Sequence, residues 1–188
     1  MLKIESTPLQ GLLIIEPTVF TDNRGHFLET FQDRRFSEKG VPADFVQDNL
    51  AFSQQNVLRG LHFQIRHPQA KLIQAVSGEV FDVAVDVRPA SATFGRWHGV
   101  RLSAENHRQF YVPEGFAHGY CVTSETATVM YKCSDYYHPE DEGGILWSDP
   151  QIGIDWPVRQ PVVSDKDAQL PPLDTLRTDQ LPQVENPQ

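Results

Sequence analysis

The sequence predicts an all-β domain, and three observations carry that prediction. Fourteen prolines and twelve glycines accompany 39% hydrophobic and 10% aromatic residues, a mixture that suits many short strands and turns better than long helices. About nine or ten short apolar segments are separated by turn signals, the pattern of a sandwich or jelly roll. The best helical candidate spans only one or two turns. With 188 residues the chain can bury a sizeable core in one domain and is short for two.

Residues 11–16 form an apolar strand stopped by Pro17, placed at a sheet edge by its polar and proline flanks. Such an edge invites pairing with a second copy, so Leu12 to Ile15 predict a homodimer. Residues 21–25 read as a turn with Gly25 free to take positive φ, and residues 26–31 leave it as a strand. Residues 32–39, closed by Gly40 and Pro42, are the helical candidate. Residues 45–50 interleave amides with apolar side chains. Residues 57–65 alternate imperfectly as a half-buried strand, Pro68 ends it, and residues 71–76 begin another, expected to lie beside the first. In residues 78–87, Phe81, Val83, Val85 and Val87 face one way and Val80, Asp82, Ala84 and Asp86 the other. Strands follow at 97–102, 108–112, 119–122 and 127–135, with 113–118 as a turn. The domain is expected over residues 1–174. From Leu170 onward proline mixes with Asp, Gln and Thr, so residues 175–188 are expected as an extended or partly disordered tail.

Charge narrows the function. A net charge of −9 opposes a surface built for nucleic acid, while leaving room for a local basic pocket for a small anion. Cys121 and Cys133 make no disulfide framework and no C-x-x-C metal signal. The sequence shows neither a signal-peptide stretch nor a run that would span a bilayer, so a soluble, cytoplasmic protein without a membrane partner is expected.

The stretch from 56 to 74 brings Arg59, His62, His67 and Lys71 into one short run. A charge or imidazole on a buried strand face must find a partner or a ligand, since desolvation without one costs several kcal/mol, on the order of 2–7 for a neutral polar group. Alone, each has a plainer assignment: His62 a hydrogen-bonded core histidine, Arg59 and Lys71 solvated charges. Their company decides, because strands distant in sequence face one another across a jelly roll.

P-x-G-x-x-H at 113–118, with Gly78 after an earlier histidine, resembles the motifs of the cupin superfamily. The fold implied is a cupin-type jelly roll, a double-stranded β-helix with short peripheral helices. Many cupins hold a metal through H-x-H, but here the corresponding residues are His62-Phe63-Gln64, and Lys71 falls near where a ligand glutamate would stand. Lysine has no acceptor and repels a divalent ion, so no metal and no cofactor are expected.

A finer resemblance is to the dTDP-4-dehydrorhamnose 3,5-epimerase family. It rests on D-N-R-G-H-F-L-E (22–29), Q-D-N (47–49), V-L-R-G-L-H-F-Q (57–64), A-K-L-I (70–73), V-P-E-G-F-A-H-G (112–119), M-Y-K-C-S-D-Y-Y (130–137) and S-D-K-D-A (164–168). The resemblance implies that His62 is the base, held by Asp167, that Tyr131 is the opposing acid, and that Lys71 faces the developing enolate. It implies that Tyr137 stacks on thymine. Arg24, Phe27, Glu29, Gln47, Asn49, Arg59, His118, Glu142 and Lys166 are the implied substrate-binding residues. It implies a dimer built through N-terminal strands. The chain departs from the family in reading Glu140-Asp-Glu-Gly-Gly144, where arginine is common, and Ser164-Asp165 in place of serine-glutamate.

The chemistry explains this residue set independently. A carbon beside a C4 ketone becomes acidic when positive charge or a donor meets the enolate oxygen, which Lys71 supplies. A base near neutral pKa suits His62, and a carboxylate such as Asp167 fixes its tautomer. Inversion needs a proton from the other face, which Tyr131 can give. Arg59 and Arg24 suit a diphosphate. A mono-epimerase working at C3 or C5 alone, a metal-dependent cupin and a non-catalytic nucleotide-sugar-binding cupin remain the alternatives.

Overall fold

The computed structural model describes residues 2–41 and 44–184. Thirteen strands and two short helices follow one another among them: β1 (Lys3–Ser6), β2 (Leu13–Glu16), β3 (Val19–Asp22), β4 (Gly25–Leu28), α1 (Asp33–Ser37), β5 (Gln47–Gln54), β6 (Leu58–Gln64), β7 (Lys71–Ser77), β8 (Glu79–Asp86), β9 (Trp97–Ser103), β10 (Gln109–Val112), β11 (Phe116–Val122), β12 (Thr126–Cys133), β13 (Glu142–Gly144) and α2 (Asp165–Ala168). Six strands make one sheet in the order β1-β2-β10-β7-β12-β5, five make the other in the order β13-β6-β11-β8-β9, and β3-β4 is a separate hairpin. The two larger sheets face each other as a jelly roll, the expected all-β, cupin-type class. No described helix is long and apolar enough to cross a membrane.

The alternation in β8 sets the layers. Val80 and Ala84 point inward with Ile73, Phe110, Tyr120 and Val129 to form the core between the sheets. Phe81, Val83, Val85 and Val87 point outward, where Leu61, Ile145, Ile152, Leu173 and Leu181 cover them. On the outer face of the six-stranded sheet, Phe36 of α1 packs with Ile15, Leu72 and Tyr111. Helix α1 is held at its start by Gln32, whose side chain accepts from the Arg35 amide.

Four expectations need correction. Strands β6 and β7 do not lie side by side; they belong to opposite sheets, because the connection at Pro68 carries the chain across the barrel. Strand β2 is interior, hydrogen-bonded to β1 and β10, and Leu12 and Ile15 are buried within this one chain, so their apolar character is accounted for without a partner. The turn expected over 113–118 is shorter, since β11 already starts at Phe116 and carries His118 within it. The stretch after Leu170 is no loose tail as far as Val184: Leu173 and Leu181 are buried against the five-stranded sheet, and 3₁₀ turns at Leu173–Thr175 and Thr178–Gln180 hold the backbone between them. Residues 185–188 of the expected tail lie outside the described residues.

Candidate active site

Strand β6 positions two of the candidate groups through an irregularity. Three residues apart, Arg59 and His62 should point to opposite faces of a regular strand. Against β11, however, His62 pairs with His118 while Arg59 pairs with Tyr120, so β6 spends one residue more than its neighbour over the same length. The bulge falls at Gly60 and turns both side chains toward one cavity, the use to which bulges beside active sites are put. Gly60 has φ 117°, a left-handed conformation that favours glycine. A Cβ there would stand 2.6 Å from Gly119 Cα, and one on Gly119 would stand 2.6 Å from the Arg59 carbonyl.

His62 donates from Nε2 to Asp167 Oδ1 at 2.7 Å, leaving Nδ1 without that proton and free to accept one. Asp167 is itself fixed: its Oδ2 accepts from the Gly60 amide at 3.1 Å, and Ser164 Oγ caps α2 by accepting from the Asp167 amide. Burial works against the Asp167 charge, yet the bonds from His62 and Gly60 hold its carboxyl below the ordinary range. This is the orienting geometry that a catalytic histidine requires.

Two adjoining cavities meet at His62, Lys71 and Tyr131. One, of about 300 Å³, runs out past Gln47, Asn49, Gln64, Tyr137 and Glu142; the other, of about 500 Å³, passes Arg59, His118, Lys166 and Asp167. His62 comes from the five-stranded sheet and Tyr131 and Lys71 from the six-stranded one, so the base and the expected acid occupy opposing walls. Burial lowers the Lys71 pKa, while Cys133, Asp82 and Glu142 pull it back through space. Burial pushes Tyr131 up to about 12, so its phenol keeps its proton at neutral pH.

The remaining expected residues divide into two groups. Arg59 lies in the cavity, donating from Nε to Ser53 Oγ at 3.0 Å. Gln47 bonds Asn49 and also accepts from the Tyr137 amide. Glu142 Oε2 accepts from the Tyr137 hydroxyl at 2.6 Å and from Lys166 Nζ at 2.7 Å. Burial opposes the Glu142 charge, but these two bonds keep its pKa lowered. Glu142 Oε1 lies 3.9 Å from His62 Nδ1. Both positions beside the departures from the family pattern are thus in the site. Where arginine is common, a Cβ on Gly143 would already stand 2.4 Å from the Phe63 ring. By contrast, Arg24, Phe27 and Glu29 are not brought to the cavity of their own chain. Arg24 is bound to Asp22 within the β3–β4 hairpin, Glu29 pairs with Arg35, and Phe27 is exposed.

Asp82 escaped sequence reasoning. It is fully buried inside the barrel and accepts from His118 Nε2 at 2.8 Å, while its Oδ2 has no hydrogen-bond partner. Burial raises its pKa against the opposing pull of His118 and Lys71. The available signal was a carboxylate on the Val80–Ala84 face of an otherwise apolar strand. The amide of Gln64, standing where a cupin metal ligand would be, also escaped as a structural residue: it bonds the backbone at His67, Tyr136 and His138.

Comparison with known proteins identifies the family. The family model described as dTDP-4-dehydrorhamnose 3,5-epimerase matches residues 6–175. A protein of that description from Methanothermobacter thermautotrophicus is 54% identical over 170 residues, 89% of this chain and 92% of its own. A crystal structure of dTDP-6-deoxy-D-glucose-3,5-epimerase RmlC from Legionella pneumophila, in complex with dTDP-4-keto-L-rhamnose, superposes with a TM-score of 0.95 at 50% identity, covering 98% of this chain and all of that one. ChmJ, a 3'-monoepimerase from Streptomyces bikiniensis in complex with dTDP-quinovose, superposes with a TM-score of 0.88 at 36% identity over 94% of this chain and 91% of its own. The chain belongs to the dTDP-4-dehydrorhamnose 3,5-epimerase family.

Proposed function

We propose that the chain epimerises dTDP-4-dehydro-6-deoxy-D-glucose at C3 and C5 to dTDP-4-dehydro-L-rhamnose, without metal or cofactor, as a step toward dTDP-L-rhamnose. The observation that carries this reading is the placement of His62 and Tyr131 on facing sheets across one cavity that Lys71 also lines. In the proposed reaction His62 Nδ1 takes the proton from the carbon beside the C4 ketone, and the electron pair moves into the carbonyl. Lys71 stabilises the resulting enolate oxygen. Tyr131 delivers a proton from the opposite face, and before the second carbon reacts the tyrosinate takes a proton from solvent while the imidazolium, held by Asp167, gives one up to it. Tyr137 stacks on thymine after exchanging its bond to Glu142 for the base. Arg59 and Lys166 take the diphosphate, which explains localised cations on a protein of net charge −9.

The functional unit in this reading is a homodimer, though not one built on β2. Leu50 and Phe52 are exposed on the edge strand β5, and Phe20 and Phe27 are exposed on the β3–β4 hairpin. Burying these against a second copy would also carry Arg24, Phe27 and Glu29 toward the partner's cavity. A charged nucleotide sugar does not cross a bilayer unaided, which supports work in the cytoplasm.

The discriminating experiment incubates the protein with dTDP-4-keto-6-deoxyglucose in D₂O containing EDTA. Deuterium at C3 and C5 with the L-rhamno product is expected. Deuterium and inversion at C3 alone would favour the second reading, a mono-epimerase, to which the resemblance to ChmJ gives weight. No exchange until a divalent ion is restored would overturn the metal-free reading.

A further inference from the structure

Outside the epimerase machinery, on the two connections that also carry Gln69 and Tyr137 of the smaller cavity's wall, three metal-ligating side chains lie close together. His67 lies in the connection between β6 and β7; Asp135 and His138 lie in the connection between β12 and β13, on either side of Tyr137. Their donor atoms all fall within 4.8 Å of one another. We propose that His67, Asp135 and His138 bind one divalent first-row transition-metal ion, with zinc the best match to two imidazoles and a carboxylate. The inference goes beyond the epimerase reading and does not depend on it.

One edge of the cluster has nearly the spacing that an ion needs. His67 Nδ1 is 3.6 Å from Asp135 Oδ2. Tetrahedral zinc with bonds of about 2.0–2.1 Å sets neighbouring donors roughly 3.3 Å apart, so this edge of the site already has nearly the required length. The imidazoles of His67 and His138 stack with centroids 4.2 Å apart and planes 19° from parallel. A nitrogen lone pair lies in its ring plane, so the stacked rings must rotate apart before both face one ion. A further carboxylate, Glu140 Oε1, stands 3.5 Å from His138 Nδ1.

The backbone beneath the ligands is hydrogen-bonded by buried or half-buried amides. Gln64, itself buried, donates to the carbonyls of His67 and Tyr136 at 2.6 and 3.1 Å and accepts from the His138 amide at 2.7 Å. Gln69 donates to the Asp135 carbonyl at 2.8 Å. All three ligand backbones are therefore anchored through two amides, which fixes where the three side chains start. Three protein ligands leave positions for water, and the ion would tie the two connections together around the segment that presents Tyr137. It would touch none of His62, Lys71 or Tyr131, so the proposed proton transfers do not require it.

The test uses the full chain stripped with EDTA and dialysed, then titrated calorimetrically with zinc chloride. One equivalent should bind. Disturbing an outer partner of a metal ligand costs about 10–100-fold in affinity, so His67→Gln and His138→Asn, which remove ligands outright, should each weaken binding at least that much. His107→Asn, which alters the other close pair of imidazoles, should leave it unchanged. Amide and imidazole NMR shifts in the unmodified protein provide a second reading that needs no variant: zinc should perturb His67, Asp135, Tyr137 and His138. Perturbations centred on His26 and His107, equal affinity in wild type and both ligand variants, or no binding would each overturn the proposal.

Discussion

In the proposed reaction His62 and Tyr131 serve opposite faces of the substrate, and one substitution at each separates their parts. His62→Asn should abolish solvent exchange at both carbons while nucleotide affinity stays near wild type, because the diphosphate and base are held elsewhere. Tyr131→Phe keeps the ring and removes only the donor. General acid catalysis is worth about 10²–10⁴-fold, so net epimerisation should fall by a factor in that range while deuterium wash-in falls much less. Equal loss of wash-in and inversion at an unchanged melting temperature would assign Tyr131 to enolate formation instead. Lys71 makes a prediction about pH. In the proposed reaction its ammonium form stabilises the enolate, and burial lowers its pKa from the ordinary 10.5, so the useful charge disappears as pH rises through that lowered value. Tyr131 moves the other way, to about 12, and cannot supply the same limb. The alkaline fall in kcat/KM should therefore lie below 10.5 and vanish in Lys71→Arg, whose guanidinium stays charged, even though that variant turns over more slowly. A limb unmoved by Lys71→Arg would remove Lys71 from the enolate.

At the scale of elements, the close approach of β6 and β11 sets where His62 and the Gly60 amide stand. Gly119→Ala would drive a methyl into the Arg59 carbonyl, which a Cβ would meet at 2.6 Å. Overpacking of this kind costs roughly 1–3 kcal/mol, and here the displaced strand also carries His62 and the Gly60 amide that holds Asp167. Turnover should fall together with the melting temperature, whereas wild-type activity in Gly119→Ala would show that the bulge is not needed to aim His62. This geometry explains what the sequence could and could not disclose. Inward and outward residues of β8 were legible because a side-chain period of two survives in any regular strand. The alternation of Arg59 and His62 was imperfect for a reason visible only with β11 alongside: the register shift belongs to the pair. Opposition of β6 and β7 was likewise hidden, since an apolar run, a proline and another apolar run describe a hairpin and a crossing between sheets equally well. Asp167 was reached through resemblance, because nothing local distinguishes a carboxylate in a terminal loop from a solvated one.

For the whole molecule, the decisive question is whether one chain suffices. The apolar edge expected at Leu12–Ile15 proved to be an interior strand, so the case for assembly now rests on Leu50, Phe52, Phe20 and Phe27, and on the distance of Arg24 from its own cavity. Complementation tests it directly. If Arg24 serves the partner, mixing Arg24→Ala with His62→Asn subunits under conditions of exchange gives mixed dimers with one intact pocket each, and about a quarter of wild-type activity should return for a two-fold dimer. No recovery, with mixed dimers present, would mean that each chain supplies its own Arg24 or needs none. The far end of the chain has a consequence of a different kind. The hydrogen bond between His62 and Asp167 spans 105 positions of sequence, and the last strand among the described residues ends at Gly144. A nascent chain can therefore emerge with every strand in hand and still lack the carboxylate that sets its imidazole. Translation must run 105 residues past His62 before the histidine acquires its partner, so a product cut short after β13 would contain every described strand and still be silent toward substrate.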